Sequence, residues 1–338
     1  ASYIGNLVFL LVGGNLSTRF SQKRVLQVLI LIWMAALALF AFTSNYTVLL
    51  IGMALALGSS TLLNTTMNLI TPLLFATAPG FFVNFLFFTQ EIGTSGSQYI
   101  LGSHADGFAF WQHTNLVLLI LGAVAFVLLL FCNVPEEAAA PADAPAQKGG
   151  YDWRIIVPYV LVFGFYFIAE HGVMNWMVAY GVDGLGLPQA SAAKYLSVFF
   201  GGMMIGRLCL SPLVDKLGAL KSLAAFGGVS CVLYLIGSLG GAVTMPVWAI
   251  SGLSFSILYP TLVMSIRLYF PAQQVSGAAG TILSIASLAD ILFNVGFGKL
   301  VDMTGYAVSI RVLPLSALAF FIVFILFTKF CKPTQKLK

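Results

Sequence analysis

The strongest constraint on this chain is an apolar run with charge in its middle. Tyr159 to Gly181 reads YVLVFGFYFIAEHGVMNWMVAYG, and Glu170 and His171 fall halfway along it. About 20 residues of helix, at ~1.5 Å each, match the ~30 Å hydrocarbon core of a bilayer. A carboxyl at that depth costs roughly 2.5–3.5 kcal/mol on insertion scales, so it must face protein or water. Two readings are open: a protonated acid hydrogen-bonded to a neighbouring helix, or a group that binds a proton or cation beside a wet path. The second is the usual role of an intramembrane acid and is the one adopted here.

Comparable runs recur near 1–16, 25–43, 47–75, 82–103, 114–132, 155–181, 192–213, 222–240, 244–266, 277–299 and 312–330, which predicts eleven helical crossings. Of the 338 residues, 59% are hydrophobic and 8% charged. Ordinary soluble domains are about 25% charged, so the expected class is an all-α membrane protein. The net charge of +5 is not a nucleic-acid signal, because the basic residues lie in short loops rather than on one patch. Cys132, Cys209, Cys231 and Cys331 have no metal-ligand or disulfide spacing and read as packing residues. The chain has no P-loop, G-x-S-x-G or HExxH motif, so an enzyme or an ATP-driven pump lacks support; neither metal nor cofactor is expected.

One connection is long. Pro135 to Gly150 is an Ala/Pro/acid linker with no pattern that could pack a core. It divides the chain into a first half over 1–133, a linker over 134–152 and a second half over 153–338. With the linker and C-terminus in the cytoplasm, thirteen of the sixteen basic residues lie inside and three outside. That positive-inside bias sets the expected orientation in the cell (inner) membrane.

An internal repeat appears at an offset of 197 residues. GNLSTRFSQKR, from Gly14 to Arg24, falls on SPLVDKLGALK, from Ser211 to Lys221, and Asn64 falls on Thr261. Two parallel repeats related by an axis along the membrane normal are a transporter signature. By the same offset the mate of 155–181 falls before residue 1, so eleven of an expected twelve helices are present, the first being absent.

Polar residues follow helical spacing within several crossings. Ser60, Asn64, Asn68 and Thr71 share one face, as do Asn84, Glu91, Ser95 and Gln98, with Gln90 and Thr94 beside them, and Ser287, Asp290 and Asn294. Such faces look into the bundle or a wet cavity, because lipid offers their amides no partner. They serve either interhelical hydrogen bonds or a solute rich in hydroxyls. The ionisable set is Glu91, Glu170, His171 and Asp290; His171 lies about 100° round the helix from Glu170.

Two six-helix halves, a cytoplasmic linker and a basic loop after the second helix of each half resemble the major facilitator superfamily, whose loop pattern is G-x-L-x-D-R/K-x-G-R-K. Gly14, Leu16, Arg19 and Lys23 match it, while Thr18 and Ser21 depart from it. The second copy keeps Leu213, Asp215, Lys216 and Gly218. Ala192 to Leu208, Ser254 to Ile266 with its Tyr259-Pro260-Thr261 triplet, and NTTMN from Asn64 to Asn68 are similar to segments of the fucose–galactose–glucose:proton symporters. The resemblance implies the major facilitator fold and a monomeric secondary transporter, importing a sugar-like solute with H+ or Na+. An exporter of the same fold and a non-transporting membrane protein remain alternatives. The Gly-Pro signature of antiporters is not seen after Glu91, where the sequence reads IGTSGSQ.

The resemblance further implies that the fourth, seventh and tenth helices line the cavity. Asn64, Asn68, Asn175, Trp176 and Tyr259 then become solute-binding candidates, with Gln90 from the polar 84–98 stretch added to them and an interfacial anchor as the other reading of Trp176. In the fucose-permease type the coupling acids lie on the first and fourth helices. Asn64 stands at the fourth-helix position, which leaves Glu170 as the expected coupling group, with Asp290, Glu91 and His171 as further candidates. Arg19, Lys23, Arg207, Asp215 and Lys216 are expected to gate from cytoplasmic loops, pairing with acids and helix ends of the opposite half.

Overall fold

The computed structural model describes residues 21–75, 79–104, 107–134 and 152–333, with residues 5, 8 and 9. The rest of the expected crossing near 1–16, Arg19 and most of the linker lie outside the described residues. The described residues form an all-helical protein: α1 (Gln22–Phe42), α2 (Tyr46–Leu74), α3 (Pro79–Ser103), α4 (Phe108–Phe131), α5 (Trp153–Ala179), α6 (Gln189–Leu217) and α7 (Ala219–Leu239) come first. A broken crossing follows as α8 (Met245–Ile250), α9 (Gly252–Phe255) and α10 (Leu258–Ser265). α11 (Ala272–Thr304), the short α12 (Tyr306–Ser309) and α13 (Val312–Phe330) complete the order. Among the described residues, nine helical segments are long and apolar enough to cross a membrane. α3 is the tenth long helix, and its 25 residues include Gln90, Glu91, Thr94, Ser95 and Gln98, which dilute its apolar character.

The helices fall into two compact units, one of residues 1–86 and 104–148, the other of 87–103 and 149–338. This division differs from the expected halves in assigning 87–103 to the second unit. In the first unit α1 packs on both α2 and α4. α4 buries only Asn115 and Gly122, and most of its Val and Leu side chains stand exposed. A helix apolar all round with little buried surface is one that faces lipid.

The second unit is built around α5, which packs on α13, α11 and α6. Tyr159, Phe163, Tyr166, Val173 and Met177 of α5 are fully buried in its core. α6 meets the broken crossing through Gly202 and Gly206, where a Cβ would strike Gly252, Leu253 or Ser256. Small residues one turn apart allow that backbone approach, as is usual between membrane helices.

The break in α8–α10 follows from local chemistry. Pro260 lacks an N–H, and its ring opposes the carbonyl four residues back, at Ser256, where α9 has just ended. Ser251, Ser254 and Ser256 each donate to the carbonyl three residues earlier, at 2.6, 2.9 and 2.7 Å, competing with the backbone ladder. Pro72 behaves differently, because α2 runs through it and ends two residues later.

The loop reading of the basic residues also changes. α6 extends through Arg207, Asp215 and Lys216 to Leu217, and the turn is made at Gly218, whose φ of 82° suits glycine. Arg207 is therefore a buried helix residue, corrected from its expected place in a gating loop.

Candidate functional site

The polar groups of the second unit gather on α5, α11, α6 and the 87–103 part of α3. α5 and α11 run in the same direction, with both His171–Asp290 and Asn175–Asn294 separated by 119 residues. Each helix thus offers a pair of groups one turn apart, and the two pairs meet. His171 Nδ1 lies 2.6 Å from Asp290 Oδ2. The other oxygen, Oδ1, accepts from Asn294 Nδ2 at 2.9 Å. Asn294 Oδ1 accepts two donors, Asn175 Nδ2 at 3.1 Å and Trp176 Nε1 at 3.0 Å. The Trp176 ring also packs against Phe297, with centroids 4.9 Å apart. Trp176 is therefore tied to α11 through both its N–H and its ring.

A second ion pair lies on α3 and α6. Arg207 donates to Glu91 Oε1 at 2.7 Å, and both side chains are over nine-tenths buried. Glu91 Oε2 has no hydrogen-bond partner. Along the same seam Ser95 and Ser197 exchange hydroxyl-to-carbonyl bonds at 2.9 and 2.8 Å. Gly102 faces Ala193 so closely that a Cβ would overlap it.

Glu170 lies within electrostatic reach of both pairs. It is buried, and Arg207, His171 and Asp290 all bear on its charge. Tyr166, one turn earlier on α5, lies close enough to influence the carboxyl, but its buried hydroxyl has no partner of proper hydrogen-bond geometry. Tyr259 lies half-buried among the rings of Phe163, Tyr166 and Phe167, and it too feels Glu170.

The charge tally follows. Glu91, Glu170 and Asp290 are the buried acids among the described residues, and Arg207 and His171 are the basic groups that reach them. Arg207 is taken by Glu91, and His171, cationic only once its second ring nitrogen is protonated, by Asp290, which leaves Glu170 outside both pairs. An uncompensated carboxylate is not kept in a medium of low dielectric; a proton or a cation must balance it. No cluster of three or more metal-ligating side chains occurs among the described residues.

The structure brings together six of the expected site residues as hydrogen-bonded or ion-paired partners: His171 with Asp290, Glu91 with Arg207, and Asn175 and Trp176 through Asn294. Gln90 is exposed on α3, and Asn64 is half-buried on α2 in the first unit. The side chains of Asn68 and Asp215 lie outside the described ones. Lys23 bonds to the carbonyl of Leu130 at 2.9 Å, a helix end within its own unit rather than in the opposite half. Lys216 is exposed in the last turn of α6. Asn294, the hub of the network, was not among the expected site residues. Its signal was the one-turn spacing from Asp290 in the stripe that begins at Ser287.

A set of long apolar helices with paired charges buried among them defines a multi-pass membrane protein. Residues 1–289 match the Major Facilitator Superfamily, and the chain belongs to that family, one of transporters rather than enzymes. It is 25% identical over 219 residues to a putative glucose/galactose transporter of Helicobacter pylori, covering 64% of this chain and 53% of that protein. With a glucose/galactose transporter of Brucella abortus it shares 28% over 190 residues, or 54% of this chain and 44% of that one. The chain thus spans about half the length of the curated relatives it matches. Among solved structures it is similar to FucP, the E. coli fucose:proton symporter, seen in an outward conformation. There the TM-score is 0.70 and the identity 20%, over 97% of this chain and 87% of that one. That likeness shows the fold.

Proposed function

We propose that this protein is a secondary carrier that imports a sugar or similar small polar solute by alternating access, coupled to a proton or sodium gradient. The observation that carries the reading is Glu170, a buried acid mid-way along a membrane helix and outside both ion pairs around it. A gradient gains leverage on a carrier through a group whose charge differs between its two open states. A carboxyl does this by binding a proton or a sodium ion.

The solute class is supported by the names of the relatives, glucose/galactose transporters and a fucose:proton symporter. The side chains are consistent with it. Asn64, Asn68, Gln90 and Asn175 carry amides that both donate and accept, as sugar hydroxyls require. Trp176 and Tyr259 offer apolar ring faces for the C–H side of a pyranose.

The finer architecture belongs to the same reading: two parallel bundle halves over 1–133 and 153–338, with eleven of twelve crossings and the C-terminus cytoplasmic. The orientation rests on the thirteen-to-three distribution of basic residues. Thiol labelling of single cysteines at Asn45 and Ala146 is expected to report opposite sides, and labelling from one side would overturn it.

The functional test uses proteoliposomes and labelled D-glucose, D-galactose and L-fucose. The wild type is expected to concentrate at least one of them under an imposed proton or sodium gradient. Glu170→Gln keeps size and hydrogen-bonding capacity but cannot titrate, so it should exchange solute without concentrating it. Uphill accumulation by Glu170→Gln would make the acid structural and pass the role to Asp290.

A further inference from the structure

Asn294 joins two sets of residues with different chemistry. On one side is the His171–Asp290 pair, which can carry charge. On the other are the N–H donors of Asn175 and Trp176, which the carrier reading assigns to the solute. The direction of every bond in the chain can be worked out from the partners. The indole N–H of Trp176 is a donor only, so the Asn294 oxygen faces it. The amide NH2 must then face Asp290, where Oδ1 accepts it at 2.9 Å. An ionised carboxylate has no proton to give, so His171 Nδ1 donates to Oδ2. The 2.6 Å separation is that of a charge-assisted bond. His171 is left with Nε2 as its remaining polar atom, on a side chain 34% exposed.

We infer that Asn294 is a positioning residue that links the charge state of the His171–Asp290 pair to the donors of Asn175 and Trp176. Ionised Asp290 draws on the Asn294 N–H and so polarises the amide, which strengthens its carbonyl as an acceptor. That holds Asn175 and Trp176 on Asn294. A proton taken up at His171 Nε2 compensates Asp290, weakens the pull on the amide and releases those donors toward a solute hydroxyl. Cation uptake and solute binding then favour one another, as linkage requires. The link deepens the carrier reading and rests on it only for the identity of what the freed donors bind.

The other charged groups around the pair are accounted for. Glu170 on α5 bears on His171, and Arg207 from α6 is committed to Glu91. α11 carries Lys299 and Asp302 further along its length. α13 meets α5 where Leu313 touches Gly172, so Lys329, the one charged residue of α13, is about 24 Å away along the helix. α10 contributes Tyr259, packed on Phe167, and Phe167 stacks on His171 with ring centroids 5.5 Å apart.

The test needs no solute. The emission of Trp176, taken as wild type minus Trp176→Phe in detergent-solubilised full chain, is expected to show one pH-dependent step that reports protonation of His171. His171→Gln removes the titrating ring and should lose the step. Asn294→Leu is close in size, keeps His171 and Asp290, and should also lose it; Asn294→Ser, too short to bridge, serves if the leucine variant does not fold. A step that persists in the folded Asn294 variant overturns the link, as does a wild type with no step. Loss of solute uptake with the step intact counts against the carrier reading alone.

Discussion

Glu91 and Arg207 show what a single side chain risks in this setting. Removing one partner of a buried ion pair leaves the other charge unpaired, at a cost of roughly 3–5 kcal/mol, whereas replacing both is often close to neutral. Glu91→Gln and Arg207→Gln should each lower the melting temperature in detergent, and the double variant should recover most of the loss. A double variant as unstable as the sum of the singles would mean that the two do not act as a pair. The sequence marked Glu91 as a membrane acid but placed Arg207 in a gating loop. The basic motif that follows Ala192 to Leu208 resembles a loop, and nothing local says that α6 continues to Leu217. Their pairing, across 116 residues, is a tertiary fact with no sequence periodicity to announce it. Asn294 escaped for a related reason. Its spacing from Asp290 was legible, but its partners lie on another helix.

Helices themselves were the most legible level, because a crossing must be a long apolar run and must satisfy its backbone internally. The predicted segments after the first reappear among the described residues as ten long helical segments, one of them in pieces, and nine of these are long and apolar enough to cross a membrane. Their ends were less well read, since Gln189 to Ser191 and Val214 to Leu217 continue α6 beyond the apolar run at 192–213. The seam between α6 and the 87–103 part of α3 is an element-scale feature. Gly102 sits against Ala193 with no room for a Cβ, while Gly93 and Gly96 of the same helix have open space around theirs. Gly102→Leu should therefore lower stability by about 1–3 kcal/mol, the usual penalty for overpacking. Gly93→Leu and Gly96→Leu should change the melting temperature little. Equal effects at all three would show that helix propensity, not the seam, governs this helix.

For the whole molecule, the central claim is that a buried acid outside both ion pairs gives an ion gradient its hold on solute movement. The all-helical membrane fold was legible from the apolar periodicity, which the bilayer imposes, and the family from the resemblance carried by the repeated basic motif. Charge balance in the second unit was not, since it depends on which acid each cation reaches. The most direct measurement is the electrical one. Proteoliposomes on a solid-supported membrane are pulsed with D-glucose, D-galactose and L-fucose, and the current carried by the coupling ion is recorded. The wild type should give a solute-evoked current with at least one sugar that vanishes when the coupling ion is withdrawn, and Glu170→Gln should give none while still exchanging that sugar. A sugar-evoked current of undiminished size in Glu170→Gln would contradict the account.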